Sequence, residues 1–301
     1  MHPTLPIAFA GNPLDRANTE RRDPAWVEAQ RRHPRAELLV LWRGQVLHEA
    51  EGDAAALLPL TLAALEAMPG SEPVLLGLRE GTPVWAADAG DVAEPPFAAL
   101  GAYEGLRALG GRLPPSELSV AGQAAWLLGW HDRHRFCART GRPTVVAQGG
   151  AKRVEPESGT EHFPRSDPVA IVLPTLGERA CLGRGPHFPP GMHSAFAGFV
   201  EACEAVEECA VRELYEETGL IVRKLTYVAS QPWPFPSSLM IGFLAEVETE
   251  TLRLDPEEIA EARWVSRAEA RALLGGGGPA GLSVPPGIAI AHQLLRAWAE
   301  D

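Results

Sequence analysis

The fold of this chain is decided by the stretch Gly198–Leu220, which reads GFVEACEAVEECAVRELYEETGL. It fits the pattern G-x5-E-x7-R-E-U-x-E-E-x-G-U, in which U is an aliphatic residue, without a gap or a substitution. The fixed positions are Gly198, Glu204, Arg212, Glu213, Leu214, Glu216, Glu217, Gly219 and Leu220. A match over so many positions favours a functional box over a solvated acidic helix face with a few ion pairs.

The second half of this stretch predicts a helix from Ala205 to Thr218. Its residues are good helix formers, and Gly219 stands where a C-terminal glycine cap belongs. At a rotation of about 100° per residue, Glu216 lies about 60° to one side of Glu213 and Glu217 about 40° to the other. Three carboxylates therefore share one helix face.

Carboxylates packed this closely repel each other unless a cation lies between them. Clustered oxygen ligands suit Mg²⁺ or Mn²⁺, usually together with substrate phosphates. Glu204 precedes the helix, and we expect it to reach Arg212 and fix the loop against the helix. The box therefore predicts a metal-dependent site, with Glu213, Glu216 and Glu217 as candidate ligands.

A second motif follows the box at Ser230–Ser238, which reads SQPWPFPSS. Proline fixes φ, so this backbone is stiff before a ligand arrives, and stiffness lowers the cost of presenting aromatic faces to a base. A proline-rich linker remains an alternative. An SH3-type ligand does not fit, because no two of these prolines have the P-x-x-P spacing.

Together the two motifs resemble those of the NADH pyrophosphatase family of Nudix hydrolases. Three further stretches are similar to the family: Phe9–Arg16, Trp130–Cys137 and His162–Arg165. The resemblance implies an α+β chain that ends in a Nudix αβα sandwich with a mixed β-sheet. It also implies metal-assisted hydrolysis of NADH or NAD⁺ to nicotinamide mononucleotide and AMP, removal of NAD caps from RNA, and a homodimer.

The resemblance also implies roles for individual residues. The catalytic box positions are Glu204, Arg212, Glu213, Glu216 and Glu217, and a further metal ligand falls on Glu258, with Glu261 close enough to be confused with it. The nicotinamide-side contacts fall on Phe199, Gln231, Pro232, Trp233, Pro234, Phe235, Pro236, Ser237, Ser238 and, through its backbone, Ala291. The identity of the general base is left open.

The rest of the chain predicts three domains, at residues 1–132, 133–165 and 166–301. Strands are expected at Glu37–Trp42, Gln45–Glu49, Pro73–Leu78, Pro83–Ala87, Val169–Leu173, Arg179–Leu182, Leu225–Ser230, Leu239–Val247 and Ala262–Val265. Helical spacing appears at Pro59–Ala67, Pro115–Gly129, Ser266–Leu274 and Ile288–Ala299. The glycine-rich segment 135–165 has few large apolar residues and reads as a linker that buries little core.

This central segment departs from the family, which holds a structural zinc between two C-x-x-C pairs. Here the first pair carries Cys137 and Thr140, and the second pair falls near Glu155 and Ser158, neither of which is cysteine. Structural zinc needs thiolates or imidazoles, usually four of them. We therefore expect no structural zinc; His131, His134 and His162 are the alternative ligands. Cys181, Cys203 and Cys209 are expected to be small buried side chains.

Composition agrees with a soluble globular protein: 46% of the residues are hydrophobic and 22% are charged. The net charge of −12 disfavours non-specific binding to nucleic acid or anionic membrane. No apolar stretch has the roughly 20 residues of a membrane span, and the four scattered cysteines favour a reducing cytoplasm. Two alternative functions remain: hydrolysis of ADP-ribose or dinucleoside polyphosphates, and a non-catalytic ligand sensor.

Overall fold

The computed structural model describes residues 5–90 and 92–301, and the chain divides into two compact units. The catalytic unit contains residues 5–8, Ser166–Trp233 and Ser238–Asp301. The N-terminal unit contains Phe9–Arg165 and Pro234–Ser237. The three-domain division expected from the sequence stays a prediction.

The N-terminal unit is built on a seven-stranded sheet with the order β3-β2-β1-β6-β5, to which β4 and β7 add at β1 and β2. The strands are β1 (Glu37–Trp42), β2 (Gln45–Glu51), β3 (Ala54–Leu57), β4 (Leu60–Thr61), β5 (Val74–Arg79), β6 (Thr82–Asp88) and β7 (Ala102–Glu104). Strands β1 and β6 are parallel, and their alternating side chains Leu38, Val40, Trp85 and Ala87 lie in one buried cluster. The four strands expected here are confirmed.

Helices of the N-terminal unit are α1 (Pro24–Arg31), α2 (Leu106–Leu109) and α3 (Pro115–Arg133), with 3-10 turns at Glu20–Arg22, Leu62–Ala67 and Gln148–Gly150. The helix expected at Pro115–Gly129 is confirmed. The helix expected at Pro59–Ala67 is wrong for its first residues and is 3-10 for the rest. Leu60 and Thr61 pair with β1, and the six residues that remain are too few to propagate an α-helix easily.

The expected linker is a folded ribbon rather than an unstructured connection. Its three antiparallel strands are β8 (Val145–Ala147), β9 (Lys152–Val154) and β10 (Glu161–His162), in the order β10-β9-β8. The buried side chains of this ribbon include Thr144, Arg153 and Glu155. Polar contacts rather than an apolar core therefore hold it together.

The catalytic unit is a six-stranded mixed sheet with the order β14-β15-β11-β12-β16, and β13 pairs with β11. Its strands are β11 (Asp167–Leu176), β12 (Arg179–Arg184), β13 (Phe196–Phe199), β14 (Val222–Trp233), β15 (Ser238–Val247) and β16 (Glu261–Ser266). Its helices are α4 (Val206–Thr218), α5 (Arg267–Leu274) and α6 (Ile290–Glu300). Within the described ranges, no helix is long and apolar enough to cross a bilayer.

Helices cover both faces of this sheet because β11 is apolar on both. Ala170 and Val172 pack in the cluster that contains α4, whereas Ile171 and Leu173 pack in the cluster that contains α5 and α6. A strand with no polar face must be covered twice. The expected αβα sandwich with a mixed sheet is confirmed.

The cysteine expectations hold in part. Cys181 and Cys209 are buried, as expected, but Cys203 is exposed. Cys203 lies in the loop between β13 and α4 and has a positive φ of 64°. Residues 201–203 of this loop are exposed, so the side chain of Cys203 does not reach the core.

Candidate active site

Helix α4 carries the carboxylates of the box, and its two ends are set by local hydrogen bonds. The Glu208 carboxylate accepts the backbone N–H of Ala205 at 2.8 Å at the first end. Gly219 ends the helix with a φ of 72° and donates its N–H to the carbonyl of Tyr215 at 2.7 Å. Leu214 is fully buried and fixes the rotation of the helix against the sheet. The expected helix and its glycine cap are confirmed.

Arg212 connects three glutamates of the box by hydrogen bonds. Its Nε and Nη2 donate to the two carboxylate oxygens of Glu204 at 2.7 and 2.9 Å, and its Nη1 donates to Glu213 at 2.8 Å and Glu216 at 3.0 Å. Nη2 also reaches the carbonyl of Phe199 at 3.1 Å. The Arg212 guanidinium holds the pKa of Glu204 at about 2. A bidentate pair of this kind fixes the geometry of the loop before α4.

Gly198 is required because the carboxylate of Glu213 occupies the space beside it. A Cβ at position 198 would meet the Glu213 carboxyl carbon at 1.8 Å and its oxygens at 2.0 and 2.2 Å. Burial raises the pKa of Glu213, Arg212 opposes this effect, and the charge of Glu216 adds to it. The first glycine of the box therefore makes room for the Glu213 carboxylate.

Glu217 is the most buried carboxylate of the box, with 6% of its surface exposed. Its Oε2 has no hydrogen-bond partner among the described residues. Burial, together with the charges of Glu213, Glu258 and Glu216, raises the pKa of Glu217 to about 8. A buried carboxylate without a partner is costly unless it is protonated or bound to a cation.

Glu258 shares the electrostatic field of α4, although it lies outside the box. It is in the turn at residues 256–258, and the N–H of Asp255 holds this turn to the carbonyl of Glu217 at 3.1 Å. Its charge raises the pKa of both Glu213 and Glu217. Glu261 lies in β16, where it pairs with Arg263 at 3.1 Å.

These four carboxylates fit a hard divalent cation. Among the described residues, no three histidine, cysteine or acidic side chains are already arranged as a ligand set. Arg212 holds Glu213 and Glu216 by a single nitrogen. The unpartnered oxygen of Glu217 and the mutual repulsion of four acids are both relieved by an oxygen-seeking ion.

The second motif forms the turn of a hairpin between β14 and β15. Gln231, in β14, has none of its surface exposed. Its amide nitrogen donates to the carbonyls of Ile288 at 2.8 Å and Ala8 at 3.2 Å, and its amide oxygen accepts the N–H of Ile290 at 2.8 Å. Gln231 therefore ties the hairpin to the start of α6.

Comparison with known proteins places three family models along the chain. A NUDIX domain matches residues 165–281, an NADH pyrophosphatase-like rudimentary NUDIX domain matches residues 35–130, and an NADH pyrophosphatase zinc ribbon domain matches residues 132–163. The chain is 43% identical over 241 residues to the NAD-capped RNA hydrolase NudC of Mycobacterium bovis, spanning 77% of this chain and 76% of that protein.

The chain belongs to the NADH pyrophosphatase family of Nudix hydrolases. It is also 42% identical to the human NAD-capped RNA hydrolase NUDT12 over 197 residues, which cover 62% of this chain and 43% of that protein. A solved Nudix hydrolase from Nitrosomonas europaea superposes with a TM-score of 0.44 at 20% identity, covering 55% of this chain and 90% of that one. The resemblance stated from the motifs is confirmed.

Among the other positions that the family resemblance singles out, Phe199 and Ala291 both lie in the catalytic unit. Phe199 ends β13 with 61% of its surface exposed. Ala291 is in the first turn of α6, directly after the residue whose N–H binds Gln231. First-turn N–H groups have no partner within their own helix. Phe199 therefore offers an exposed aromatic ring, and Ala291 offers a backbone position at the start of α6.

Pro232, Trp233 and Ser238 lie at the strand ends of the hairpin, and its tip is Pro234–Ser237, with Pro236 exposed. The ring of Phe235 packs edge-on against Phe9 at 5.8 Å between centroids, and the Arg107 guanidinium lies 4.1 Å from its centroid. The tip therefore belongs to the N-terminal unit. The sequence reasoning missed Arg107, because a single arginine in α2 carries no motif.

The residues that match the zinc ribbon family do not fit a zinc ion. Of the four family positions, Cys137 alone supplies a thiol. Nδ1 of His131 faces Arg153 at 3.2 Å and its Nε2 faces the carbonyl of Gly150 at 2.9 Å, so both ring nitrogens are used. His134 directs Nδ1 to the Trp130 carbonyl at 2.8 Å. His162 lies near Cys137. One thiol and one imidazole are fewer ligands than a structural zinc takes.

Proposed function

We propose that this Nudix hydrolase cleaves the pyrophosphate linkage of NADH or NAD⁺ and releases nicotinamide mononucleotide and AMP. The proposal is carried by the buried, unpartnered oxygen of Glu217, which lies among the charges of Glu213, Glu216 and Glu258. The names of the similar proteins supply the substrate class.

The proposed cofactor is Mg²⁺ or Mn²⁺, held by Glu213, Glu216, Glu217 and Glu258. When bound, the ion neutralises phosphate oxygens and makes water a better nucleophile. Arg212 holds two of these carboxylates in place through one nitrogen and anchors the preceding loop through Glu204. In this assignment Arg212 and Glu204 position the ligands, and the four glutamates bind.

The reaction is a hydrolysis in which atoms balance without a further reactant. The oxygen of water bonds to one phosphorus of the linkage, and the bond from that phosphorus to the bridging oxygen breaks. The two products are phosphate monoesters, and the hydrogens of water end on the products or in solvent. The chain contributes positioning and charge, which are the main means by which phosphoryl-transfer enzymes act.

On the nicotinamide side, we assign Phe199, Ala291 and the hairpin residues 231–238 to substrate recognition. The exposed ring of Phe199 is suited to stacking on a base. Gln231 has a positioning role in this assignment, because its amide is already occupied by three backbone groups. The family resemblance supports the assignment of Pro232, Trp233, Pro234, Phe235, Pro236, Ser237 and Ser238 to the same recognition.

NAD-capped RNA is the second candidate substrate, because the same pyrophosphate bond joins nicotinamide mononucleotide to the 5′-terminal adenosine monophosphate of that RNA. ADP-ribose and dinucleoside polyphosphates lack the nicotinamide half, and a ligand sensor would bind without turnover. The test is kcat/KM for NADH, NAD-capped RNA, ADP-ribose and diadenosine polyphosphate at saturating Mg²⁺ or Mn²⁺. We expect the two nicotinamide substrates to exceed the others by at least tenfold. Preferred cleavage of ADP-ribose would overturn the proposal.

Four further proposals complete this account. We propose a homodimer, supported by the family resemblance and tested by sedimentation at several concentrations. We propose a cytoplasmic location, supported by four free cysteines. We propose that the chain binds no structural zinc, supported by the donor set described above. We also propose the domain division 1–132, 133–165 and 166–301, to be tested by limited proteolysis at its boundaries.

A further inference from the structure

The two turns of the ribbon at which the zinc family would place its ligands have the same backbone bonding. In the first turn, the N–H of Cys137 binds the carbonyl of Arg142 at 2.8 Å, and the N–H of Gly141 binds the carbonyl of Cys137 at 2.8 Å. In the second, the N–H of Glu155 binds the carbonyl of Thr160 at 2.9 Å, and the N–H of Gly159 binds the carbonyl of Glu155 at 2.9 Å.

The glycines that close these turns also match. Gly141 and Gly159 have φ values of 72° and 68°, a conformation that glycine adopts at little cost. Each of the two turns therefore keeps its backbone although three of the four ligand positions have changed. This equivalence makes Cys137 and Glu155 structural counterparts, and likewise Thr140 and Ser158.

Glu155 fills the second turn with a negative charge. The two oxygens of its carboxylate accept the N–H of Glu157 at 2.9 Å and the N–H of Ser158 at 3.1 Å. Successive N–H groups of this kind form a concave site for an anion. The side chain of Ser158, the N–H of Glu157 and the charge of Arg142 lower the pKa of Glu155, so it is ionised at neutral pH.

The first turn surrounds the sulfur of Cys137 with hydrogen-bond donors in the same way. Hydrogen bonds from the Thr140 side chain and from the N–H groups of Thr140 and Arg139 lower the pKa of the Cys137 thiol to about 7, and His162 contributes. The donor positions two and three residues after Cys137 correspond to those two and three residues after Glu155. Both turns therefore surround an acceptor at their first position.

Ion pairs connect the two turns and the strands between them. Arg142 of the first turn pairs with Glu157 of the second, and Lys152 in β9 pairs with Glu161 in β10. Because both side chains of the Arg142–Glu157 pair are largely exposed, that pair contributes modestly by itself.

Arg153 provides the contact between the ribbon and the remainder of the N-terminal unit. Only 3% of its surface is exposed. It donates to the hydroxyl and carbonyl of Thr144 at 2.7 and 2.9 Å, to Glu72 at 3.1 Å and to Nδ1 of His131 at 3.2 Å. A buried guanidinium with four such partners fixes β9 without any metal.

From these contacts we propose that residues 137–162 form a metal-independent ribbon in which the Glu155 carboxylate has replaced a metal-ligand thiolate as the anion that closes the second turn. The backbone of both turns stays compatible with the ancestral site. Consequently, Thr140→Cys, Glu155→Cys and Ser158→Cys together, with Cys137, restore a four-thiolate zinc site. The proposal does not depend on the substrate assigned to the catalytic unit.

The first test measures what holds the native ribbon. Purified full-length protein is expected to contain less than about 0.1 zinc per chain and to keep its melting temperature in excess chelator. Glu155→Gln is expected to lower the melting temperature by roughly 2–4 °C, whereas Glu66→Gln, at an exposed position of the same unit, leaves it unchanged. One tightly bound zinc per native chain, or an unchanged melting temperature for Glu155→Gln, overturns the proposal.

The second test uses the triple-cysteine variant, expressed with and without added zinc. We expect one zinc per chain, a melting temperature that falls when a chelator removes it, and the visible absorption of tetrahedral thiolate-bound Co²⁺ after exchange. The control is Thr140→Ser, Glu155→Ser and Ser158→Ala, which offers one cysteine and is expected to bind neither ion. A folded triple-cysteine variant without Co²⁺ absorption overturns the inference that the turns keep the ancestral geometry. Should that variant not fold, Glu155→Gln alone decides the role of Glu155.

Discussion

Two glutamates at family metal positions, Glu217 in α4 and Glu155 in the ribbon, are both almost completely buried, yet they differ in electrostatic environment. Glu217 leaves one oxygen without a partner, and burial raises its pKa to about 8. Glu155 accepts two backbone N–H groups, and its pKa is lowered. One carboxylate is stabilised by its own turn, whereas the other is not stabilised by the described protein groups.

Under the proposed assignment, this difference distinguishes a retained metal site at Glu217 from a lost one at Glu155. Burial disfavours a charge, and hydrogen bonds to the charged form compensate for it. Where the protein supplies that compensation, as at Glu155, no cation is needed. Where it adds further negative charge, as Glu213 and Glu258 do at Glu217, the carboxylate must be either protonated or bound to a cation. The predictions that follow test the two halves of this contrast.

The largest effect is expected for Glu217→Gln. The variant keeps the size of the side chain and removes the charge that the proposed ion binds, so kcat/KM for NADH should fall by at least about 10²-fold. Glu207→Gln, at an exposed position of the same helix, is the matched control and should retain activity. Unchanged AMP release by Glu217→Gln at saturating Mg²⁺ would remove Glu217 from the metal site.

A somewhat smaller loss is expected for Gly198→Ala. The added methyl group would overlap the Glu213 carboxylate, which must then move. Misplacing a catalytic group by about 1 Å costs up to roughly 10²-fold in rate. Gly111→Ala, where a Cβ meets nothing within 4 Å, serves as the control. Full activity of Gly198→Ala would show that the position of Glu213 is not critical.

Glu258→Gln separates the two candidate glutamates beyond the box. Because the charge of Glu258 acts on Glu213 and Glu217, its loss should raise the Mg²⁺ concentration for half-maximal activity by roughly 10-fold to 10²-fold. Glu261→Gln should leave that concentration near the native value. A larger effect at Glu261 than at Glu258 would reverse the assignment.

Gln231→Ala should lower the stability of the fold rather than remove a catalytic group. The substitution leaves the N–H of Ile290 and the carbonyl of Ile288 without their partner, at about 1–3 kcal/mol for each buried group. We expect a melting temperature several degrees lower and a raised KM for NADH, because the start of α6 is released. A raised KM with an unchanged melting temperature would instead indicate direct contact of Gln231 with substrate.

The sequence predicted the catalytic half well because its signals are local. The helix of the box, its glycine cap and the two-sided strand β11 follow from neighbouring residues. It did not predict the partners of Gln231, since Ala8 and Ile288 lie far away along the chain. The contacts of Phe235 with Phe9 and Arg107 were not predicted for the same reason.

The ribbon was the least predictable part. Its composition indicated a linker, because few apolar residues are present, but the fold depends on backbone bonds within two turns and on the buried Arg153. Cys203 was expected to be buried and is exposed for a similar reason: local composition does not reveal where a loop leaves the sheet. A fold that is held by hydrogen bonds of this kind depends on where each polar group lies in space, which residue types alone do not reveal.

The most direct test of the contrast compares the melting temperatures of Glu217→Gln and Glu155→Gln in metal-free protein at about pH 8.5. The folded state raises the pKa of Glu217 from 4.5 to about 8, so its contribution to stability falls as the pH rises through that interval. Glu155 has a lowered pKa, so its contribution is complete at this pH.

The account predicts opposite signs: Glu217→Gln melts at a higher temperature than the native chain, and Glu155→Gln at a lower one. Added Mg²⁺ should raise the melting temperature of the native chain and of Glu155→Gln, but not that of Glu217→Gln. Shifts of the same sign in metal-free protein would contradict the claim that one buried carboxylate requires a cation and the other does not.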